Sequence, residues 1–313
     1  MTNSQPLVSI VVPAFNAERY IDETVRSLLA QTYPNIEILL LDDGSTDQTW
    51  SLLQRYSSKC YVETHPNMGQ AATLNKGWAR ARGEIIGYLS ADDLLMPQAV
   101  EVAVAELRKM PEIALVYPDY QLMDEASRLL SIVQAPDYSY DEVVLHGQCP
   151  VGPGALFRRT LFERAGGWDT GLRQIPDYEF WLRTGLFGDM VHIKHVLAAF
   201  RVHESSQTFA VADEKKASEY LYVMNKYFAR TDIPEKIRTR RRIAYSSAYI
   251  LTARLHLRSG RFRAGFRALT MALQQSATTS FRKGSIKLIL NGLVGRFKHA
   301  IKYALLRTFK RIF

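Results

Sequence analysis

The segment from Leu7 to Asn16 has the sequence LVSIVVPAFN. Residues 7–13 form a continuous run of mostly β-branched apolar side chains, which is the pattern of a strand covered on both faces. The next apolar residues, among them Ile21, Val25 and Leu28, recur at helical spacing and predict a helix that ends near Gln31. A buried strand followed by an amphipathic helix is the unit from which parallel α/β sheets are built.

The same alternation continues outward from this unit to residue 119. Further strands are predicted over residues 36–41, 84–90 and 113–119, and further helices over residues 46–56, 69–82 and 97–109. This order predicts a mostly parallel sheet flanked by helices. In such sheets ligands bind beyond the carboxyl ends of the strands, so we expect the functional residues there.

Composition and charge narrow the class of protein. A hydrophobic content of 47% and a charged content of 23% are those of a globular chain. Residues 236–313 carry 19 Lys or Arg and no acid, so residues 1–235 carry 21 basic and 31 acidic residues. The net charge of +9 therefore conceals an acidic body followed by a basic one.

Several features indicate a cytoplasmic protein. Cys60 and Cys149 lie far apart, in neither a metal-binding nor a CxxC spacing, which fits a reducing compartment. The N-terminal MTNSQP has no Lys or Arg and does not resemble a signal peptide. No apolar run reaches the roughly 20 residues of a transmembrane helix.

Polar groups follow three of the predicted strands: Phe15-Asn16, Asp42-Asp43-Gly44-Ser45 and Ser90-Ala91-Asp92-Asp93. Each acidic pair alone is also typical of a turn or a helix cap. Acids that converge on one sheet edge, however, repel each other unless a cation or ligand hydrogen bonds compensate. We therefore expect a site for a divalent cation and a phosphate.

These stretches together resemble the family-2 glycosyltransferases with the GT-A fold. The resemblance rests on VSIVVPAFN, LLDDGSTDQT, NMGQAATLNKGWARARGEII and YLSADDLLMP, and continues in GPGALFRR, AGGWD, PDYEFWLR and RVHESSQT. It implies an α/β GT-A domain over residues 1–212, Rossmann-like and mostly parallel. A basic, all-helical C-terminal extension then spans residues 213–313.

The resemblance also implies a metal site at the paired acids. Asp92 matches the metal-binding acid of the family's DxD motif, and Asp93 is expected to support the metal or its waters. The cofactor would be Mg²⁺ or Mn²⁺, which stabilises a departing diphosphate. Ser90 replaces the first acid of the motif, a departure that removes the usual carboxylate contact to the ribose.

A nucleotide site is implied beside the metal. Asp43 matches the position that contacts the nucleobase edge, and a carboxylate there accepts from the N–H of uracil or thymine. A UDP- or dTDP-linked sugar is therefore the favoured donor. The other residues expected on the nucleotide side are Pro13, Phe15, Asn16, Asn67, Gly69, Asn75, Ser90, Ala91 and Asp92. Turn and cap roles remain the alternative for the polar ones.

The family inverts the anomeric centre, which requires a carboxylate to take the acceptor proton. Asp177 matches the second acid of the family's pair, and Pro176 has replaced the first. We predict Asp177 as the general base, with a helix cap as the alternative. Glu179, on the acceptor side, is expected to be a structural partner at the same helix start.

Four further residues complete the predicted site. His203 is expected to contact the metal or the diphosphate, with Arg201 assisting at the diphosphate. Trp168 and Asp169 match an acceptor-side loop, where an indole face suits stacking on a sugar. Structural roles are the alternative for His203, and a core position for Trp168.

The basic region divides into two parts. Residues 245–275 resemble a single helical hairpin of the tetratricopeptide sort. An apolar stripe with basic neighbours follows: Ile286, Ile289, Leu290, Leu293, Phe297, Ile301, Leu305, Phe309 and Ile312. A basic amphipathic helix favours a membrane surface, while packing on the catalytic domain or binding nucleic acid are alternatives.

The sequence thus predicts a metal-dependent inverting glycosyltransferase for cell-surface polysaccharide assembly. Its acceptor would be a glycan or a polyprenyl-linked glycan, with no nucleic acid as partner. We expect it to lie peripherally on the inner face of the cytoplasmic membrane. Two alternatives remain open: a nucleotide-binding relative without catalysis, and a binding or scaffold protein that works through its basic tail.

Overall fold

A computed structural model describes residues 5–203 and 212–294 of the chain. Its internal contacts divide it into two compact units. Unit 1 takes in the described parts of Met1–Tyr138, Pro150–Gly171 and Pro176–Glu204. Unit 2 takes in Ser139–Cys149, Leu172–Ile175 and the described parts of Ser205–Phe313. The chain therefore alternates between the units, whereas the sequence predicts a single boundary at residue 212.

Within the described residues, unit 1 contains a nine-stranded mixed sheet. The strands are β1 (Val8–Ala14), β2 (Ile36–Asp42), β3 (Tyr61–Thr64), β4 (Ile85–Tyr88), β5 (Leu94–Leu95), β6 (Leu115–Met123), β7 (Leu129–Val133), β8 (Leu156–Arg158) and β9 (Met190–Arg201). Their spatial order is β3-β2-β1-β4-β8-β6-β9-β5, and β7 pairs with β6.

One half of the sheet is parallel, as the sequence predicts. Strand β1 pairs in parallel with β2 and β4, and β2 pairs in parallel with β3. All residues of β1 are buried because helices cover it on two sides. Val8 and Val12 pack in one cluster with residues of α1 (Ile21–Leu29), while Gly77 of α3 (Gln70–Arg80) lies against Val11. Full burial of each such aliphatic side chain stabilises the folded state by about 1.5–3 kcal/mol relative to an exposed side chain.

The other half of the sheet is largely antiparallel. Strand β8 is antiparallel to β4 and β6, and β7 is antiparallel to β6. Strand β9 is parallel to β6 but antiparallel to β5. Strands β3, β5, β7, β8 and β9 are not predicted from the sequence, and segments as short as β3, β5 and β8 show no usable periodicity. Their pairing matters, since it places the end of β9 next to Asp93.

The remaining helices of unit 1 are α2 (Thr49–Gln54), α4 (Ala99–Lys109), α6 (Arg159–Ala165) and α7 (Pro176–Thr184). Unit 2 contains α5 (Tyr140–His146), α8 (Glu214–Phe228), α9 (Glu235–Arg238), α10 (Arg241–Arg258), α11 (Phe262–Gln275) and α12 (Ala277–Ser280). A further helix is described over residues 283–294. The C-terminal region is thus helical over its described residues, as predicted.

Helices α10 and α11 form the predicted hairpin around Ser259–Arg261, and α8 packs on α10. Among the described residues, no helix is both long and apolar enough to span a bilayer. The predicted apolar stripe continues from Ile286 to Ile312, but residues 295–313 lie outside the described residues.

Candidate active site

The carboxyl ends of β1 to β4 lie at one edge of the parallel half-sheet, and polar segments follow each strand. After β1, Asn16 adopts a left-handed φ of 49°. Its Oδ1 accepts from the Thr46 N–H at 2.9 Å, and its own N–H donates to Ser45 Oγ at 2.9 Å. The structure therefore joins the predicted segments after β1 and β2. Pro13 is buried within β1, while Phe15 is half exposed beside this junction.

Asp43 is buried at the end of β2 and fastens the following loop. Its two carboxylate oxygens accept from the backbone N–H of Met68 at 2.7 Å and of Gly69 at 2.9 Å. The Asn67 side chain donates to the Asp43 carbonyl at 3.0 Å. Gly69 has a φ of 90°, which favours glycine, and it immediately precedes α3. Three predicted nucleotide-side residues are thus brought together, with further acceptor sites left on the carboxylate.

His65 belongs to the same cluster, although it is not among the residues predicted from the sequence. The residue follows β3, is buried, and places its Nδ1 3.6 Å from Asp43 Oδ1. Its Nε2 is buried and has no hydrogen-bond partner among the described residues. The signal that points to His65 is its position: it is the polar residue that directly follows a parallel strand.

The turn between β4 and β5 contains the paired acids. Asp93 is 2% exposed, and its Oδ1 accepts from the Arg201 N–H at 2.9 Å. Burial raises the pKa of the Asp93 carboxyl well above its usual range, and the neighbouring charge of Asp92 adds to that rise. Ala91, in the same turn, accepts from the Thr24 hydroxyl of α1 at 3.0 Å. Asp93 therefore holds the turn in place, and its predicted support of a metal stays a prediction.

Arg201, at the end of β9, is 1% exposed. Its guanidinium donates to the Asp92 carbonyl at 2.8 Å, to Ser127 Oγ at 2.8 Å and to Glu23 Oε2 at 2.7 Å. These contacts give Arg201 a positioning role: it ties the Asp92 backbone to α1 and to the loop after β6. The predicted contact of Arg201 with a diphosphate stays a prediction.

His203 lies beside the more accessible of the two acids. Its Nε2 is 2.7 Å from Asp92 Oδ2, and the two side chains are 10% and 28% exposed. The Tyr20 ring packs against the imidazole, with the ring centroids 5.1 Å apart. The structure thus brings together two residues that are 111 positions apart in the sequence and were both predicted as metal ligands.

The donor set at Asp92 fits a divalent cation that arrives with a phosphate ligand. Among the residues that the structure describes, no group of three or more His, Cys, Asp or Glu side chains could hold a metal. Asp92 and His203 supply a carboxylate and an imidazole, donors found at Mn²⁺ and related sites. Sites that bind a metal with a nucleotide commonly use one or two carboxylates, and phosphates and waters complete the coordination.

The predicted acceptor-side loop is attached to the nucleotide side through Asn75. The Asn75 amide accepts from the Trp168 N–H at 2.7 Å and donates to the Trp168 carbonyl at 2.8 Å. A Cβ on Gly167 would lie 2.2 Å from Asn75 Oδ1, so only glycine allows this approach. Both amide atoms of Asn75 therefore hold the loop, and its predicted contact with nucleotide stays a prediction.

Trp168 is 4% exposed and packs edge-on against Tyr88, with ring centroids 5.1 Å apart. Its burial is that of a core residue, and its predicted contact with the acceptor sugar stays a prediction. Its buried indole Nε1 nevertheless has no hydrogen-bond partner among the described residues. Asp169, which follows, accepts from the Gly171 N–H at 2.9 Å.

Glu179 forms a buried ion pair with Arg183 one helical turn later. Arg183 donates from Nε at 3.0 Å and from Nη2 at 2.8 Å to the two carboxylate oxygens. The same guanidinium donates to the carbonyls of Ala165 and Gly167. Glu179 and Arg183 thus connect α7 to the Gly167–Trp168 loop, and the structural role expected of Glu179 stays a prediction.

Asp177 lies in the first turn of α7 and is partly exposed. Its Oδ1 accepts from the backbone N–H of Tyr178 at 2.8 Å, and no side chain among the described residues bonds to it. Desolvation by the surrounding protein raises the pKa of the Asp177 carboxyl, and the backbone hydrogen bonds offset only part of that rise. A carboxylate with a raised pKa is a stronger base, as proton abstraction requires.

Comparison with known protein families identifies a match over just over half of the chain. The model of the family described as Glycosyl transferase family 2 matches residues 9–166. An uncharacterized glycosyltransferase from Rickettsia typhi is 32% identical over 226 residues, which are 69% of this chain and 70% of the relative. Chondroitin synthase from Escherichia coli is 30% identical over 73% of this chain, but the match covers 33% of the synthase.

TarS and a mannosyltransferase are among the solved structures that share the fold. S. aureus TarS 1–349 in complex with UDP-GlcNAc has a TM-score of 0.63 at 16% identity, over 89% of this chain and 92% of that one. The mannosyltransferase PcManGT from Pyrobaculum calidifontis, in complex with GDP-Man and Mn²⁺, has a TM-score of 0.61 at 18% identity. That match covers 94% of this chain and 86% of the mannosyltransferase. At these identities the likeness establishes the fold.

Proposed function

The chain belongs to glycosyl transferase family 2, and we propose that it moves a sugar from a nucleoside-diphosphate sugar to a hydroxyl of a glycan or lipid-linked glycan. The observation that carries this proposal is the pairing of Asp92 with His203 at the strand ends. The relatives support a role in polysaccharide synthesis, because chondroitin synthase is among them.

The nucleotide would bind over the ends of β1 and β2. Asp43 is held by Met68 and Gly69 with acceptor capacity remaining, which suits the N–H of uracil or thymine. His65 Nε2, buried and unpartnered among the described residues, is a second polar atom available to the base. Phe15 offers a half-exposed ring to cover it. We therefore propose UDP or dTDP sugars as donors.

Asp92 and His203 would hold a Mg²⁺ or Mn²⁺ ion together with the donor diphosphate. When bound, the ion neutralises the negative charge that develops on the departing diphosphate. Arg201 and Asp93 keep the Asp92 backbone in place for this task. Because Ser90 stands where the family has an acid, the ribose would have a hydroxyl partner instead of a carboxylate.

Asp177 would act as the general base. As the acceptor oxygen attacks the anomeric carbon, Asp177 takes the hydroxyl proton, the bond between the sugar and the diphosphate breaks, and the nucleoside diphosphate departs. Attack from the face opposite the leaving group inverts the anomeric centre. The raised pKa of Asp177 supports this assignment, since the group is a better proton acceptor than an ordinary aspartate.

Unit 2 would bring the enzyme to a membrane surface on its cytoplasmic side. Ile286, Leu290 and Val294 are 42%, 54% and 48% exposed and lie four residues apart on one helix. Lys283 and Lys287 are exposed beside them. An apolar stripe with adjacent cations suits an anionic bilayer.

Calorimetric titration with UDP, dTDP and GDP, with and without Mn²⁺, tests the proposal. We expect UDP or dTDP to bind about tenfold more tightly with Mn²⁺, which corresponds to about 1.4 kcal/mol. In Asp92→Ala this advantage should disappear, because the carboxylate that holds the ion is absent.

Asp189→Ala is the matched control, because it also removes one carboxylate from unit 1, here an exposed one. Asp189 lies immediately before β9, whereas Arg201, which contacts Asp92, lies at the end of that strand. Nucleotide binding that ignores both Mn²⁺ and Asp92 would contradict the proposed metal site. Binding without any donor hydrolysis or transfer would indicate the inactive relative. Absence of nucleotide binding would favour a protein that works through its basic tail.

A further inference from the structure

An open pocket of about 690 Å³ lies between α8, α10 and α11 of unit 2. Its volume falls within the range of roughly 300–1,000 Å³ typical of small-molecule sites. No residue that lines it belongs to the site described above. Part of the lining is apolar or aromatic: Leu221, Tyr249, Ala264, Ala268 and Met271.

Three cations line the same pocket: Lys215, Arg263 and Arg267. All three are exposed, and within the described residues no hydrogen bond or ion pair joins them to another side chain. Glu214 is the single carboxylate among the lining residues, so the pocket carries a net positive charge. Cations gathered around a concave surface without partners favour an anionic ligand.

Two buried polar groups line the pocket as well. Thr252 is 4% exposed, and its Oγ1 has no hydrogen-bond partner among the described residues. His256 is 9% exposed, and its Nδ1 accepts from Arg261 Nε at 2.9 Å. Burial and the Arg261 charge lower the pKa of His256, so the ring is neutral near pH 7 and carries its proton on Nε2. A hydroxyl and an imidazole N–H are therefore available as donors.

We propose that this pocket binds a phosphate ester whose organic part is an apolar chain. Arg263, Arg267 and Lys215 would neutralise the phosphate, and charge-assisted hydrogen bonds from guanidinium groups to phosphate are among the strongest in proteins. Thr252 supplies a hydroxyl that otherwise lacks a partner. The apolar side chains from α8, α10 and α11 would cover the apolar chain of the ligand. A sugar phosphate has no such apolar chain.

Calorimetric titration of the whole chain with octyl phosphate, inorganic phosphate and glucose 1-phosphate tests this proposal. We expect octyl phosphate to bind about tenfold more tightly than the other two probes, because it alone also covers the apolar lining. Equal affinity for octyl phosphate and glucose 1-phosphate would overturn the apolar part of the proposal. The pocket would then bind the phosphate group alone.

Substitutions locate the binding. Arg263→Gln/Arg267→Gln should weaken the binding of octyl phosphate by about tenfold or more. Arg241→Gln/Lys59→Gln removes the same charge from exposed positions outside the pocket and should leave the affinity unchanged. Thr252→Val should weaken binding without lowering the thermal unfolding midpoint, since the hydroxyl it removes has no described partner.

Equal losses of affinity in the two double variants would show attraction by overall charge alone and would overturn the proposal. The proposal would also be overturned by a second result, in which octyl phosphate binds the wild-type protein no better than inorganic phosphate and Arg263→Gln/Arg267→Gln changes neither affinity.

Discussion

Asp177 shows how one environment acts on both chemistry and stability. Its carboxyl is desolvated and its backbone hydrogen bonds offset only part of that effect, so its pKa in the folded protein lies above the value in the unfolded chain. At a pH below the pKa of the unfolded chain, such a carboxyl makes its full contribution to the stability of the folded protein. That contribution is lost as the pH rises through the pKa of the folded state. At neutral pH the ionised group therefore makes the folded state less stable than a neutral one would.

We expect Asp177→Asn to abolish most sugar transfer while leaving the thermal unfolding midpoint unchanged or higher at pH 7. Asparagine keeps the shape of the side chain but neither accepts a proton nor carries the charge that desolvation disfavours. Transfer assays and thermal unfolding of the same preparation measure the two effects. The wild-type rate should also fall as the pH is lowered through the raised pKa of Asp177.

The control for this variant is Asp189→Asn, which changes an exposed aspartate of unit 1 and should alter neither quantity. Transfer by Asp177→Asn near the wild-type rate would exclude Asp177 as the general base. A loss of transfer accompanied by a large drop in the unfolding midpoint would instead assign Asp177 to the helix cap.

At the scale of elements, the buried pair of Glu179 and Arg183 holds α7 against the Gly167–Trp168 loop. Their side chains are 4% and 11% exposed, so water screens the pair poorly. Arg183 also donates to the carbonyls of Ala165 and Gly167. Asn75 of α3 holds the same loop from the other side through the Trp168 backbone. The start of α7, where Asp177 lies, is thereby linked to the nucleotide side of the sheet.

We expect Arg183→Met to destabilise the protein by about 3 kcal/mol or more, because it leaves the buried Glu179 charge without its partner. The double variant Glu179→Met/Arg183→Met should recover part of that loss, since neither charge then remains buried. Chemical denaturation monitored by tryptophan fluorescence measures both.

Arg26→Met provides the comparison, because Arg26 and Asp22 form an exposed pair at the same spacing on α1. Its removal should cost only a small fraction of the Arg183 effect, since solvent screens exposed ion pairs. If the two single variants lose similar stability, the Glu179–Arg183 pair does not anchor α7 as the contacts indicate.

At the scale of the whole molecule, residues 1–235 carry a net negative charge and residues 236–313 only positive ones. The sequence predicts that the basic part contacts a membrane. Its described helix over residues 283–294 displays Ile286, Leu290 and Val294 to solvent, and such side chains gain free energy by entering a bilayer interface. The apolar stripe continues into residues 295–313, which lie outside the described residues. The test therefore uses the exposed apolar face of residues 283–294.

We expect the protein to sediment with anionic vesicles at low salt, and Ile286→Ser/Leu290→Ser/Val294→Ser to reduce that binding several-fold. Donor hydrolysis in solution should be retained, because the substituted residues lie in unit 2. Binding should also weaken as salt rises, since the cations beside the stripe are screened.

A matched triple variant, Leu129→Ser/Leu130→Ser/Ile132→Ser, changes three apolar residues of β7 that are 57%, 55% and 57% exposed. It should leave vesicle binding unchanged. Wild-type protein that does not sediment with anionic vesicles at low salt would exclude the membrane contact. Equal losses in both triple variants would show that general surface hydrophobicity, and not this helix, determines the binding.

The sequence by itself determined three strands of the parallel half of the sheet, β1, β2 and β4, and the acids at its edge. Runs such as Leu7–Pro13 show their periodicity over a few residues, and polar residues after a parallel strand must reach the same edge. Only the tertiary structure decided which side chains meet there. Arg201 bonds to Glu23 across 178 residues of sequence, and Asn75 bonds to Trp168 across 93. Such contacts, like the desolvation that raises the pKa of Asp177, depend on packing between distant segments, which local periodicity does not encode.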